Sequence, residues 1–423
     1  MLGLNNKLKN FAKKGYSIKV AICGLGHMGT GLVSHILSIP GMDVVAVITR
    51  NIGKAEKALN TLARNKQLEI AGGKPSNRKD RIILTDDIKA FAHMEELDAI
   101  IDATGSPQAG AEIGLFAIEN KKDLISLNVE ADTVIGPILS KLAKNAGIVY
   151  TLAAGDEPGA LKELYDFADA LGFEIIVAGK GKNNPLDREA NPSKVSEYAR
   201  EKGANPKMMC SFIDGTKTMI EMACFSNATG LVADCKGMHG IEVNVSGLVN
   251  AFKLKPEGGI LNRKGVVDFV IGDVAPGVFL VYRTESQVLR EELRYLMFGD
   301  GPNYLLYRPY HLASLEVPLS IARAFFYREA TIIPKAGLIS DIATIAKKNL
   351  KKGDRIDGIG GYSVYGLIDR YETIKGDHIL PIGLSEGCRM VRDKKKGEII
   401  TLNDVEINDT MLYQLKLLQE KVF

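Results

Sequence analysis

The stretch GKGKNN, residues 179–184, places two lysines on either side of a glycine and follows them with two asparagines. Side chains alternate along an extended chain, so Lys180 and Lys182 project to the same side. Together with Asn183 and Asn184 they would make a cationic, hydrogen-bonding patch for a phosphate or a carbonyl oxygen. A solvated turn of the same composition is the plainer alternative. Further on, FIDGTKTMIEMACFSNATGL (212–231) spaces Asp214, Lys217 and Glu221 at i, i+3 and i+7, which is one face if the segment is a helix. Met219, Ile220, Met222, Ala223 and Phe225 make its other sides apolar, so this helix reads as buried. Buried charges need partners, and carboxylate–lysine sets occur both at functional sites and on salt-bridged faces. AAGDEPGAL (153–161) opens another helix with Asp156 and Glu157 ahead of Pro158. GDGPNYLLYRPYH (299–311) sets Arg308 and His311 on a loop before a helix. Arg308 is a candidate anion contact, and His311 reads as structural.

These groups must be held by a scaffold, and its first part is legible. Ile18 to Cys23 is an apolar run of strand length, and Gly24, Gly26 and Gly29 then fit GxGxxG within GLGHMG. The first glycine permits the tight turn, the second admits a pyrophosphate to the backbone, and the third lets helix pack on strand. A helix over 28–37 aims its N-terminal N–H groups at the phosphates, beside His27 and Met28. The runs at 42–50, 81–87, 97–107, 122–128 and 147–153 continue the strands, with helical stretches near 54–65, 109–120 and 132–145 among them. This alternation predicts an α/β fold, a Rossmann doubly wound parallel sheet.

The second strand ends in Thr49-Arg50 instead of an acid. An arginine there suits a 2′-phosphate and a carboxylate would repel one, so NADP is favoured over NAD. Thr104-Gly105-Ser106-Pro107 and Asn128 end the fourth and fifth of these strands. They should face the nicotinamide half, since ligands sit beyond the carboxyl ends of such sheets.

Composition narrows the function classes. The chain has 423 residues, 46% hydrophobic and 25% charged, and its 54 basic and 51 acidic residues leave a net charge of +3. That length implies two or three domains, and the charge balance gives no case for nucleic acid. No apolar run approaches the roughly 18 residues of a membrane helix. The basic N-terminal stretch reads as a helical lead-in, lacking the apolar core of a signal peptide. Five scattered cysteines without CxxC suit a reducing, cytoplasmic setting, and six histidines without a close pair give no zinc motif.

In combination GLGHMG, DATGSP, SLNVEAD, AAGDEPGAL, GKGKNN and FSNATGL resemble the homoserine-dehydrogenase-like proteins with a C-terminal SAF domain. The best-understood members are DXR-like (DRL) enzymes, which are 1-deoxy-D-xylulose 5-phosphate reductoisomerases; relatives oxidise and isomerise branched sugar acids such as apionate. The SAF likeness rests on residues 330–368 and 397–407. The resemblance implies an NADP-binding domain (1–153), an α+β catalytic and dimerising domain (154–329) and a small, mostly β SAF-like (β-clip-like) module (330–423).

Homoserine dehydrogenases carry Asn-Lys where this chain has Asn128-Val129 followed by Glu130, which speaks against homoserine as substrate. What the resemblance implies is an NADPH-dependent reductoisomerase of a phosphosugar or branched sugar acid, in isoprenoid or carbohydrate metabolism. Lys180 and Lys182 would do the electrophilic and acid–base work. Asp156, Glu130 and Glu221 would serve as bases or as ligands of a divalent metal. Asn183, Asn184, Asp214, Lys217 and Arg308 would bind substrate, and a homodimer is the expected assembly. A simple sugar-acid or homoserine dehydrogenase and a non-catalytic NADP sensor are the competing readings.

Overall fold

The computed structural model describes residues 3–62, 66–70, 81–92 and 94–423. The chain forms two compact units. One comprises the residues up to Asp156 with Leu312–Ile333 and Thr410–Val422; the other comprises Glu157–His311 and Pro334–Asp409. The three consecutive domains expected from the sequence do not follow this division, because two late segments fold with the first unit and 334–409 folds with the second.

The first unit is built on β1 (Ile18–Cys23), β2 (Met42–Ile48), β3 (Gln67–Ile70), β4 (Arg81–Thr85), β5 (Ala99–Asp102), β6 (Asp123–Ser126) and β7 (Tyr150–Leu152). Their order is β3-β4-β2-β1-β5-β6-β7 and every pairing is parallel. Parallel strands covered on both faces read as unbroken apolar runs. Val20 and Ile22 of β1 are accordingly fully buried with Val44 and Val47 of β2 and Leu32, Val33 and Ile36 of the His27–Ile36 helix. β3 has no counterpart among the expected strands. It is a four-residue edge strand with Ile70 exposed, so it lacks the apolar run that betrays its neighbours.

Helices Ile52–Leu62, Pro107–Glu119 and Val129–Ala146 stand where sequence periodicity put them. The end of the expected 54–65 helix, residues 63–65, lies outside the described residues. Helix Val317–Tyr327 adds Val317, Ile321 and Ala322 to the core of this unit. The helix Met411–Val422 supplies Gln419, which is fully buried. Pro137 interrupts the Val129–Ala146 helix. One residue further on, the Gln419 carboxamide enters the hydrogen-bond ladder: Ile138 N donates to its Oε1 (3.1 Å), and its Nε2 donates to Val134 O (2.9 Å). A side chain from elsewhere thus bonds both the i and the i−4 group of this turn.

The second unit carries β8 (Glu174–Gly181), β9 (Val232–Ala233), β10 (Ile241–Glu242), β11 (Val266–Ile271), β12 (Val278–Arg283) and β13 (Asn303–Arg308) in one mixed sheet. Its order is β10-β11-β8-β12-β13, with β9 also on β11; β8 runs parallel to β11 and antiparallel to β12. Residues 334–409 contain two short antiparallel pairs, Ser340–Ala346 with Val364–Arg370 and Arg389–Met390 with Val405–Glu406. They are bonded to the helix Thr216–Thr229. Asn227 Oδ1 accepts from Ile339 N and Ser340 N, both at 2.9 Å, and Thr216 Oγ1 accepts from Gly366 N at 2.9 Å.

Candidate active site

Within the first unit the glycine-rich turn has the shape a dinucleotide needs. A Cβ on Gly29 would stand 2.0 Å from Gly24 O, so only glycine lets this helix approach β1. A Cβ on Gly26 would meet nothing within 4 Å, and Gly26, His27 and Met28 are exposed around the helix N-terminus. No side chain caps that helix, which leaves its first N–H groups for an anion. Arg50 is exposed just beyond β2, while Thr49 N is tied to Thr85 O.

Two residues expected at the nicotinamide are placed differently. Asn128 is fully buried, and its Nδ2 donates to Asp102 Oδ2 (2.9 Å), Ser106 O (2.8 Å) and Thr104 Oγ1 (3.2 Å). Its Oδ1 accepts from Ala131 N at 3.1 Å, as the cap of the next helix. With its amide protons spent, Asn128 joins the ends of β5 and β6 and does not offer itself to a ligand. Thr104 in turn donates through Oγ1 to Asp102 at 2.6 Å. Burial raises the Asp102 carboxyl above its ordinary range despite the bonds from Thr104 and Asn128. Gly105 follows in the left-handed region (φ 63°), and Glu130 is buried in the first turn of the Val129–Ala146 helix.

The second unit gathers the charged chemistry around the end of β8. Gly179 and Gly181 are there because an added Cβ would lie 2.3 Å from Asp268 O or 2.2 Å from Ala275 N. Between neighbours this close, Lys180 and Lys182 project as the strand's period dictates. Both are almost wholly buried. Lys180 Nζ is bonded to both Glu157, at the start of the helix Glu157–Ala170, and Glu221, in the middle of Thr216–Thr229. Burial alone would lower the lysine pKa, yet the two carboxylates more than reverse this and hold it above its ordinary value. Two carboxylates and one ammonium would leave a net negative charge in a dry site. Burial and the neighbouring Glu157 push Glu221 up to about 7 against the pull of Lys180. The triad therefore carries an exchangeable proton near neutrality.

Lys182 is the opposite case. Its Nζ donates to Phe212 O at 2.6 Å, and among the described residues no carboxylate lies within ion-pair distance. Burial first, and the Lys180 cation second, push it down to about 8. A lysine of this kind gives up its proton far more readily than an exposed one. Asn183 is exposed beside it, and Asn184 accepts from Tyr198 OH at 3.3 Å.

Other expectations are corrected. Asp214, Lys217 and Glu221 do not share one helix: Pro206–Ile213 ends at Asp214, and Gly215, with φ 82°, starts the next. Only a glycine takes that backbone conformation without strain. Asp214 has no exposure and cannot touch substrate; its Oδ2 accepts from Lys347 Nζ at 2.9 Å and its Oδ1 from Thr216 N at 2.8 Å. Lys217 is half-buried in the first turn of the Thr216–Thr229 helix, where its charge acts on Glu221. Arg308 ends β13 and is not on a loop, and it pairs with Glu163 at 3.0 Å. Asp156 is the last residue of the first unit's opening segment, next in the chain to Glu157.

Two participants were missed. Glu157 is the second partner of Lys180. His311 is fixed by a 2.6 Å bond from Nδ1 to Pro276 O, and its Nε2 lies 3.6 Å from Glu157 Oε1. A carbonyl only accepts, so Nδ1 carries the proton and Nε2 faces the carboxylate. Nothing in the spacing of residues 154 apart announces such a meeting. Only the position of Glu157 at the head of a helix was a signal.

Residues 24–153 match the model of the homoserine dehydrogenase NAD-binding domain, and residues 155–317 match that of the catalytic domain of oxidoreductase DRL. The protein is an NAD(P)-dependent oxidoreductase. The tandem of matches supports a DRL-like family and gives this oxidoreductase a nicotinamide cofactor. No curated protein matches the chain at a significant level.

Solved structures similar to the oxidoreductase include one from Agrobacterium radiobacter in complex with NAD+, L-tartaric acid and magnesium, at 13% identity and TM-score 0.30, covering 40% of this chain. The match spans 45% of that protein's length. Dihydrodipicolinate reductase from Paenisporosarcina sp. TG-14 is 15% identical over 74% of this chain and 97% of its own, with TM-score 0.36. A probable dehydrogenase from Thermotoga maritima is 13% identical over 74% and 90%, with TM-score 0.42. Among the described residues no helix is long and apolar enough to cross a membrane.

Proposed function

We propose that the protein is an NADPH-dependent reductoisomerase of the DRL kind, acting on a hydroxyketone such as a phosphosugar or a branched sugar acid. The observation that carries this reading is the pairing of two buried lysines in opposite states, one locked by two carboxylates and one held only by a carbonyl. Lys180, kept charged, holds the oxyanion that develops as the carbon skeleton rearranges. Lys182 and Glu221 exchange the protons, since both ionise close to neutrality. A nicotinamide held by the glycine-rich turn supplies hydride to the new carbonyl, and exposed Arg50 favours the 2′-phosphate of NADP.

Asp156, Glu157 and Glu221 each bring a carboxylate oxygen within 4.8 Å of the others and would be the ligands of a divalent cation, which would compete with the Lys180 ammonium for Glu157 and Glu221; no step is routed through a metal. A cytoplasmic homodimer, with 334–409 as a SAF-like segment, belongs to the same reading.

The test is a screen of NADPH consumption against phosphorylated ketoses and C4 to C5 sugar acids, with carbon-labelled product analysis. A moved branch supports rearrangement, and hydride transfer without one reduces the proposal to a plain sugar-acid dehydrogenase. Replacing Lys182 by Ala lowers turnover by at least about 100-fold while NADPH still binds; unchanged turnover removes its role.

A further inference from the structure

We infer that Arg188 is the anchor for the anionic end of the substrate, a phosphate or a carboxylate gripped by the guanidinium fork. This deepens the reductoisomerase reading and rests on it. The helix Pro206–Ile213 ends in carbonyls without partners inside the helix, and two cations close them. Lys182 Nζ donates to Phe212 O at 2.6 Å, and Arg188 Nη1 donates to Asp214 O at 2.7 Å. The guanidinium also lies over the Tyr365 ring, 5.4 Å from its centroid. Gly215 leaves room for it, since a Cβ there would stand 2.8 Å from Arg188 Nη1. The side chain is thus set in place before any ligand arrives, which lowers the cost of binding one.

What Arg188 lacks is a counter-ion. Arg283 and Arg308, half-buried in the same unit, each pair with a carboxylate, Glu257 at 2.7 Å and Glu163 at 3.0 Å. Arg188 is half-buried too, and among the described residues no carboxylate lies within ion-pair distance of it. The acids that adjoin it are spent elsewhere. Asp214 offers Arg188 its carbonyl, while its carboxylate serves Lys347 and Thr216 N. Asp187 accepts from Glu189 N at 2.8 Å, and Glu189 pairs with Lys396. Burial pulls the guanidinium below its ordinary value, and its charge in turn weighs on Lys182. A cation so placed is costly unless an anion completes it. One N–H is used on Asp214 O, and those that remain form the planar fork that matches two oxygens of a phosphate or carboxylate at once. Lys182 keeps its part in proton exchange, because the fork and not the ammonium takes the anion.

The experiment titrates three hydroxyketones into the full-length protein saturated with NADP+ and follows the heat of binding. Dihydroxyacetone has no anionic end, dihydroxyacetone phosphate carries a phosphate, and hydroxypyruvate carries a carboxylate. The wild type is expected to bind at least one anionic probe about 10- to 100-fold more tightly than dihydroxyacetone, the usual worth of hydrogen bonds to a charged group. Which anionic probe it prefers separates a phosphosugar from a sugar acid. In Arg188→Met the advantage disappears, while NADPH binding and the melting temperature show that the variant is folded. In the wild type alone, the tighter anionic probe slows modification of Arg188 by phenylglyoxal, read by peptide mapping. An advantage that survives in Arg188→Met, no advantage in the wild type, or no protection of Arg188 overturns the inference. If it is overturned while a substrate from the NADPH screen still rearranges, the anchor falls and the reductoisomerase reading stands. If the anionic probes depend on Arg188 and no substrate turns over, the anchor is supported and the reading of the overall reaction falls.

Discussion

Replacing Lys347 by Met tests whether Asp214 is a substrate contact or an internal brace. Lys347 is nearly fully buried and donates to Asp214 Oδ2 at 2.9 Å, Ala190 O at 2.8 Å and Gly361 O at 2.8 Å. Methionine fills much of the same volume, so the loss is of charge and hydrogen bonds more than of packing. Stranding the Asp214 carboxylate costs about 3–5 kcal/mol, the usual result of removing one partner of a buried pair. For a unit of this size that corresponds to a fall in melting temperature of roughly 10 °C.

The effect has a sign in pH. Burial already raises the Asp214 carboxyl against the pull of Lys347, and without the lysine it rises further. A carboxyl whose folded pKa lies above its unfolded one destabilises increasingly as pH rises between the two values. The deficit of Lys347→Met should therefore be larger at pH 8 than at pH 5. The double variant with Asp214→Asn should regain about 2 kcal/mol, the share due to the stranded charge. The two undonated carbonyls keep a remaining cost of ~1 kcal/mol each. Thermal unfolding followed by circular dichroism at both pH values is the assay. A variant that melts with the parent at pH 8, or whose deficit is no smaller at pH 5, refutes the brace.

Reaction of Lys182 requires its neutral form, so kcat/KM rises with pH through about 8; a profile flat from pH 7 to 9 contradicts this. Gly29→Ala forces a Cβ against Gly24 O, costing about 1–3 kcal/mol by overpacking and weakening NADPH binding. Gly26→Ala has space for its methyl group, so it should melt with the parent and lose only cofactor affinity. Equal losses of stability in both variants would refute that division of roles. Gln419→Leu leaves Ile138 N and Val134 O without their side-chain partner, and unfolding should become easier by roughly 2–4 kcal/mol. A melting temperature unchanged by that substitution would show that the helix closes its own ladder.

The parallel sheet was legible because its information is local. Apolar runs of strand length, separated by helical periods and opened by GxGxxG, need no distant residue to be recognised. The nearness of Lys180 and Lys182 was legible for the same reason, since positions two apart at the end of an extended run share a side. What was not legible depends on residues far apart. Asp214 looked like part of a charged helix face, but Gly215 turns the chain, and its cation arrives from 133 residues away. Likewise Glu157 meets Lys180 only because β8 and two helices of the same unit converge. Asn128 had the right place at a strand end, but hydrogen bonds that no spacing reveals turn its amide inward.

The chain leaves the nucleotide-binding unit and returns to it twice, and this orders its biogenesis. All seven strands of the parallel sheet have been synthesised by residue 152, yet Gln419 emerges only after the whole of 157–409. On the ribosome the second unit, though begun later, has all of its principal segments before the first does. Until the returning helix arrives, Ile138 N and Val134 O lack the Gln419 carboxamide that bonds them. A nascent chain paused near residue 409 would therefore expose this seam to proteases and chaperones, and arrival of the last helix would seal it.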